Sequence, residues 1–402
     1  MVDLADPLLH ESGDAHAVFA RLRAAPGLHW NAEGAFPGFW SVTRHADALQ
    51  VLADTRSFTT AEGILLRPDR GPDPASGRML VMTDPPRHTE LRRALNRYFN
   101  PATVARLEAR VDAAVRPLLD RVLDSPCDFV TDVAAAIPAF LICEMMGVPE
   151  ADREHVTRLT GIAFSAADPD YQMLPSERAS RSAAHGQILA YFLKLLRRRG
   201  REPGDDIVSV LASVEIGGRR LDEREVLLDC DNVIVGGTET TRHAAAGGLL
   251  ALVEHPDQLA LLRRCPELVP TAVEEILRWT SPATHVMRTV RRDAVVAGQP
   301  LRPAERVVLW GISFNRDEAA FERADRFVVD RHPNRHLALG HGEYFCLGAA
   351  LARMQLRVLF ANLLTAAGSI ELAGPPRRLR SNMITGFKSL PVLLRRRATT
   401  VP

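Results

Sequence analysis

Two groups of residues in this chain have types and spacing suited to chemistry. The first is Leu339-Gly340-His341-Gly342-Glu343-Tyr344-Phe345-Cys346-Leu347-Gly348. Glycines around a short turn let the backbone approach a flat ligand that a Cβ would obstruct. A helical pattern starts at Gly348-Ala349-Ala350-Leu351, which puts Cys346 at a helix N-terminus, where free N–H groups and the dipole favour a thiolate. Taken alone, a cysteine is more often a buried structural thiol. The glycine pattern and the helix start argue for a ligand instead, and a thiolate on iron promotes O–O cleavage.

The second group is Gly236-Gly237-Thr238-Glu239-Thr240-Thr241, in the middle of the longest helical pattern. A mid-helix glycine costs about 1 kcal/mol relative to alanine. Two accounts stand: another helix approaches closely, or the turn opens to admit a small ligand. The acid–hydroxyl pair directly behind favours the second, because Glu239 and Thr240 can hold water and relay protons to bound dioxygen.

Long helices must position both groups. Apolar residues recur at three- and four-residue spacing from Asn100 to Leu123, and again from Ser182 to Arg199. The longest helix begins at Asp222, with Glu225 as capping-box partner, and runs to Glu254 before His255-Pro256 stops it. A further helix spans Pro266 to Trp279. Strand signals are few: Phe39–Val42, Arg306–Trp310 and Leu390–Leu394. Arg67–Gly77, rich in Pro and Gly, reads as a long loop of the kind that forms lids. The fold class is mainly α with a minor β region, and one catalytic domain spans residues 1–402.

The cysteine segment resembles the haem-ligand loop of the cytochrome P-450 family, FGxGxHxCxG. Gly340, Gly342, Cys346 and Gly348 fall on its pattern, while Leu339 replaces Phe and Tyr344 replaces His. The central helix matches (A/G)GxD/ETT, which implies Thr240 as the oxygen-activating hydroxyl and Glu239 as the adjacent acid. Glu275-Ile276-Leu277-Arg278 matches ExxR, and Ala324-Asp325-Arg326-Phe327 resembles the meander motif that follows it. The resemblance implies a structural network of Glu275, Arg278 and Arg326 that buttresses the cysteine loop. It implies His88, Arg92 and Arg288 on the haem propionates, with Tyr344 as a hydrogen-bond donor there. It also implies Val233, Gly236, Gly237, Ala283, Val286, Met287 and Ile384 as substrate-pocket walls, joined by Met383 and Phe387, with polar contacts from Thr284 and His285. The motifs occur in the family's order, so the resemblance covers nearly the whole chain, a helical bundle around a buried haem with small β-sheets.

The implied cofactor is haem b (iron protoporphyrin IX), with Cys346 as the metal ligand. The implied activity is a monooxygenase that inserts one atom of dioxygen into a hydrophobic or amphiphilic small molecule, free or tethered to a carrier protein, in bacterial secondary metabolism. Peroxide-driven, ring-coupling or desaturating chemistry, and a non-catalytic haem-binding protein, are the alternatives. No flavin or nicotinamide fingerprint is present, so NAD(P)H electrons are expected through an external ferredoxin and ferredoxin reductase. Arg92, Arg93, Arg353 and Arg357 are candidates for a basic docking face.

Composition sets the outer bounds. The 402 residues carry Lys+Arg 50 against Asp+Glu 49, a net charge of +1, too balanced for an electrostatic nucleic-acid binder. The basic residues are nearly all Arg, with Lys only at 194 and 388. Five cysteines without CxxC spacing exclude a zinc ribbon or a disulfide framework. Neither a signal peptide nor a membrane-spanning run is expected, and the reading is a cytoplasmic monomer.

Overall fold

The computed structural model describes residues 2–68, 71 and 73–397. Its central element is the helix Glu223–Glu254. The capping box forms as expected: the Glu225 amide donates to Asp222 Oδ1 at 2.8 Å, and the Asp222 amide donates to Glu225 Oε2 at 2.9 Å. At 1.5 Å per residue the helix is about 48 Å long, and most of its residues are buried. Such length without strong amphipathicity requires neighbours on every side.

Small residues set how closely those neighbours come. A Cβ on Gly237 would stand 2.8 Å from Ile142 of the helix Ala136–Met145. Cβ atoms on Gly247 and Gly248 would stand 2.7 Å from Thr280 and Ile276 of the helix Val269–Thr280. The central helix also packs against the helices Arg153–Ser165 and Glu177–Arg199. On the far side, Pro101–Val122 lies along Ala349–Ala366, which leads out of the cysteine loop.

The expected helix at Pro266 starts as a 3₁₀ turn, Pro266–Leu268, before the α-helix takes over. The helix expected at Ser182 starts earlier, at Glu177, because Ser176 caps it by accepting the Ala179 amide at 3.2 Å.

The β content sits to one side. A five-stranded sheet runs in the order His29–Asn31, Phe39–Val42, Arg306–Trp310, His285–Val290, Phe58–Thr59. Within it, Phe39–Val42 and Arg306–Trp310 pair in parallel and the other neighbours antiparallel. A second sheet joins Ala367–Leu372, Pro391–Arg396 and Pro126–Asp128. The strand His285–Val290 carries one wall of the central cavity.

Candidate active site

The cysteine loop is closed by backbone bonds within a few residues. Cys346 donates its amide to Leu339 O at 2.8 Å, Gly340 to Leu337 O at 2.9 Å, and Phe345 to Gly342 O at 3.1 Å. Gly340 and Gly342 sit at φ +76° and +64°, in the left-handed region that disfavours a side chain. A Cβ on Gly340 would also come within 3.2 Å of Tyr344 O. Gly348 has ordinary φ, and a Cβ there would meet Cys346 Sγ only at an ordinary contact of 4.0 Å. Enclosure in the fold pushes the Cys346 thiol up, outweighing the Gly348 amide and the nearby Arg92 and Arg353.

Beneath the loop lies a buried ionic network. Arg278 Nε and Nη2 each reach a Glu275 oxygen at 2.7 Å, and Arg278 Nη1 donates to Asn315 O and Ala324 O at 2.8 and 3.0 Å. Glu275 further accepts from the Val328 amide at 2.8 Å and from Asn334 Nδ2 at 3.1 Å. The second arginine is Arg331, whose Nε reaches Glu275 Oε2 at 2.9 Å. This corrects the sequence expectation for Arg326. Its side chain is exposed, and it contributes only its backbone carbonyl, which accepts from Arg278 and Arg331 at 2.9 and 3.0 Å. Asn315 Oδ1 in turn accepts the Leu337 amide at 2.8 Å, so the network ends on the cysteine loop.

A cavity of about 370 Å³ separates this loop from the central helix. Cys346, Leu339, Gly340, Phe345 and Gly348 form one wall; Val233, Gly236, Gly237, Thr240 and Thr241 form the facing one. His88, Arg92 and Arg288 line an edge together with Tyr344. Arg288 is buried, stacks on the Tyr344 ring at 5.1 Å, and donates one bond to Met287 O at 2.8 Å. Among the described residues neither Arg288 nor Arg92 has a carboxylate within ion-pair distance. Burial pushes Arg288 down to about 10, the mark of a cation short of a counter-charge. His88 Nδ1 stands 3.5 Å from Glu343 Oε1, too far for a well-formed hydrogen bond.

The sequence matches known proteins along its length. A family model described as Cytochrome P450 matches residues 267–366. The chain is 39% identical to a putative cytochrome P450 126 of Mycobacterium tuberculosis, over 98% of this chain and 97% of that one. The chain belongs to the cytochrome P450 family. It is 34% identical to linalool 8-monooxygenase of Pseudomonas putida over 98% of both chains. It superposes with a TM-score of 0.90 on P450 OxyD, which is involved in the biosynthesis of vancomycin-type antibiotics, at 39% identity over 99% of this chain and 100% of that one.

As a cytochrome P450 the protein is a haem-dependent monooxygenase that acts on small molecules, and its residues fit that cofactor. An iron porphyrin of this type carries two carboxylates, and the cavity edge offers two guanidinium groups without a carboxylate partner among the described residues and a histidine whose Nδ1 has no hydrogen-bond partner. Tyr344 is a different case from the donor expected. Its hydroxyl already donates to Asp84 Oδ1 at 2.6 Å, and Asp84 also receives the Thr60 amide at 3.1 Å. The ring supports Arg288 while the proton is spent elsewhere.

The central helix of this P450 is continuous, contrary to the opened turn expected from its glycines. The two accounts of those glycines divide between them. Gly237 packs against Ile142, whereas nothing lies within 4 Å of a Cβ placed on Gly236, which faces the cavity. Thr240 Oγ1 donates to Gly236 O at 3.0 Å and borders the same space. Glu239 is not among the cavity residues. It is fully buried on another face, 2.6 Å from Arg242 Nη2, and accepts from Thr160 Oγ1 at 3.4 Å. Burial alone would raise its pKa, but Arg242 and His243 outweigh that and hold it low. Burial pushes His243 down to about 4.

Of the expected pocket walls, Val233, Gly236, Gly237, Ala283 and Val286 line the cavity; Met287, Ile384, Met383 and Phe387 do not. The reason for Met287 is strand alternation: Val286 and Arg288 face the cavity, so Met287 faces the opposite core beside Phe39 and Trp310. Ile384 bridges to Ala283 from behind. His285 and Thr284 are structural. His285 accepts the Leu66 amide at 3.0 Å and donates to Asn382 O at 2.8 Å, and Thr284 bonds Thr385. Residues 69, 70 and 72 of the expected lid lie outside the described residues; its flanks, Ile64, Leu80 and Val81, reach the cavity.

Ile64, Leu80, Val81, Phe164 and Asn232 are wall residues that no sequence motif carried. Asn232 had a usable signal, since it lies one turn before Gly236 on a helix already assigned to the cavity. The expected basic docking face is largely neutralised: Arg353 is bidentate to Glu274 at 2.7 and 2.8 Å, and Arg357 pairs with Glu108 at 2.8 Å. Arg92 turns to the cavity and Arg93 remains exposed. Among the described residues no helix is long and apolar enough to cross a membrane.

Proposed function

We propose that this P450 oxidises a neutral, largely apolar small molecule of bacterial secondary metabolism, with Cys346 as the residue that would hold the haem iron and Thr240 as the hydroxyl that would face the oxygen site. The observation that carries the reading is the pair of opposed walls: a glycine-framed cysteine on one, Gly236 and Thr240 on the other, and, along the joining edge, guanidinium groups with no carboxylate partner among the described residues. Arg288, Arg92 and His88 would hold the propionates. Bound there, the haem supplies the redox chemistry that divides dioxygen between substrate and water, with thiolate donation favouring O–O cleavage. The protein works as one catalytic domain in the cytoplasm, with electrons passing from NAD(P)H through a ferredoxin and its reductase.

The chain's own part is to position groups and move protons. The mainly apolar walls exclude water and hold the substrate against the open face of Gly236. Thr240, bonded to Gly236 O when the site is free, can turn its hydroxyl into the cavity. Glu239, held by Arg242 beside Thr160 and Thr238, takes up a proton on that buried side, and reaches Thr240 only by turning its carboxyl from Arg242 toward the cavity face, where water beside Gly236 completes the transfer.

The test is a Thr240→Ala holoenzyme with ferredoxin, reductase and NAD(P)H. Substrate binding and the thiolate-type carbon monoxide spectrum should persist, while about ten- to hundredfold more of the reducing equivalents are lost as peroxide per product formed. Unchanged coupling removes Thr240 from the mechanism.

A further inference from the structure

On the cysteine side of the cavity Gln355 Oε1 is buried without a partner; nearer the central helix two of the lining hydroxyls are committed. Thr60 spends its hydroxyl proton on Thr83 O at 3.0 Å, and Thr240 spends its own on Gly236 O. The two carboxylates nearest in sequence are not among the cavity residues. Asp229 accepts the Leu80 amide through Oδ1 at 2.6 Å, with Oδ2 buried and unpartnered, and Asp231 holds His185 Nδ1 at 2.9 Å. Asn232 differs. Its half-buried side chain lines the cavity, and among the described residues no protein group hydrogen-bonds its amide, which is open to the cavity space.

The position of that amide is set by the continuity of the helix. Asn232, Gly236 and Thr240 are spaced four apart, so they share one face of an unbroken α-helix. At 1.5 Å per residue the amide sits about 6 Å along the axis from Gly236 and about 12 Å from Thr240. Ile64, Val81, Phe164 and Val233 supply the apolar surroundings. A substrate that fills this space displaces the water on Asn232. If it brings no partner, it leaves a desolvated amide behind, and such an unmade bond costs more than a made one returns.

We infer that Asn232 is a specificity-determining residue: it selects neutral substrates with one hydroxyl, ketone or amide group roughly 6–12 Å from the carbon oxidised. An amide both donates and accepts, so all three functions are suited. A charged group is not, because among the described residues no counter-ion lines the cavity beside it: Asp229 and Asp231 are not lining residues, and Arg92, Arg288 and His88 lie at the opposite edge. This rests on the haem-thiolate reading above.

The test uses purified holoenzyme and matched twelve-membered rings, cyclododecanone and cyclododecane, with affinity read as displacement of pre-bound imidazole in the Soret band. Asn232→Leu keeps the side-chain volume and removes both polar atoms. It should weaken cyclododecanone by about tenfold or more while leaving cyclododecane unchanged or tighter, with the carbon monoxide spectrum still of thiolate type. Asn232→Asp should bring in cyclododecylamine, which the wild type rejects. The inference is overturned if Asn232→Leu shifts both rings equally or neither, or if neither ring binds the wild type. A histidine-type carbon monoxide spectrum in the wild type would sink the parent reading and this one together; a thiolate spectrum with equal shifts sinks only this one.

Discussion

The two sides of the cavity treat their polar groups in opposite ways. Behind the cysteine loop, Glu275 takes bonds from Arg278, Arg331, Asn334 and the Val328 amide, and Arg278 donates to three backbone carbonyls as well. At the cavity edge, Arg288 and Arg92 have no carboxylate among the described residues, and on the central helix the Asn232 amide is left open to the cavity without a protein partner among them. Buried ions are tolerable when every lone pair and proton is used. Where they are not used, the fold carries a cost that a ligand can relieve. The difference separates scaffold from site.

Several substitutions would break or sharpen that contrast. Arg331→Ala should have the largest effect. It strips one partner from a buried carboxylate, which costs about 3–5 kcal/mol, and little folded protein should survive a thermal melt that the wild type passes. Arg288→Leu should leave the fold intact or slightly firmer, because a lone buried cation is removed. Its cost should fall on the cofactor: haem transfer to apomyoglobin should speed up by about ten- to a hundredfold, in line with the loss of a charged hydrogen bond. Equal transfer rates would take Arg288 off the propionates.

Acid should act on the scaffold side first. Burial pushes Glu274 up, but hydrogen bonds from His336 and Arg353 outweigh it and hold the carboxyl at about 2, below its ordinary 4.5. A depressed carboxyl stabilises the fold fully above its unfolded value, and that stability drains as pH falls from 4.5 toward 2. At 1.36 kcal/mol per unit the upper limit is about 3 kcal/mol. Glu274→Gln should flatten this stretch of the stability–pH curve, measured by urea melts at several pH values. An unchanged slope would show that other carboxylates carry it. The smallest effect belongs to Arg326→Ala. Its exposed side chain makes no bond to Glu275, so a change within about 0.5 kcal/mol is expected. A loss as large as that of Arg331→Ala would reverse the assignment between the two arginines.

How far the site could be read from residues alone depended on the range of the interaction. The cysteine loop is legible because its constraints are local: the amide of Cys346 closes on Leu339, and both positive-φ glycines lie between them. The capping box of the central helix, three residues wide, is legible for the same reason. Arg326 and Arg331 were not separable, since both follow the same motif and only the path of the chain decides which guanidinium turns inward. Met287 was misplaced because the strand's facing depends on its partner, although alternation would have separated it from Val286 and Arg288.

The order of residues by itself thus determined the family, the helices, the thiol and its glycine frame, all of which depend on neighbours a few positions away. Only tertiary structure decided which polar groups would be left unsatisfied. Glu239 found Arg242 and Thr160, Tyr344 found Asp84, and among the described residues Arg288 found no carboxylate and Asn232 no side-chain partner. Satisfaction is a property of everything within hydrogen-bond reach, and that set is assembled only when distant segments pack.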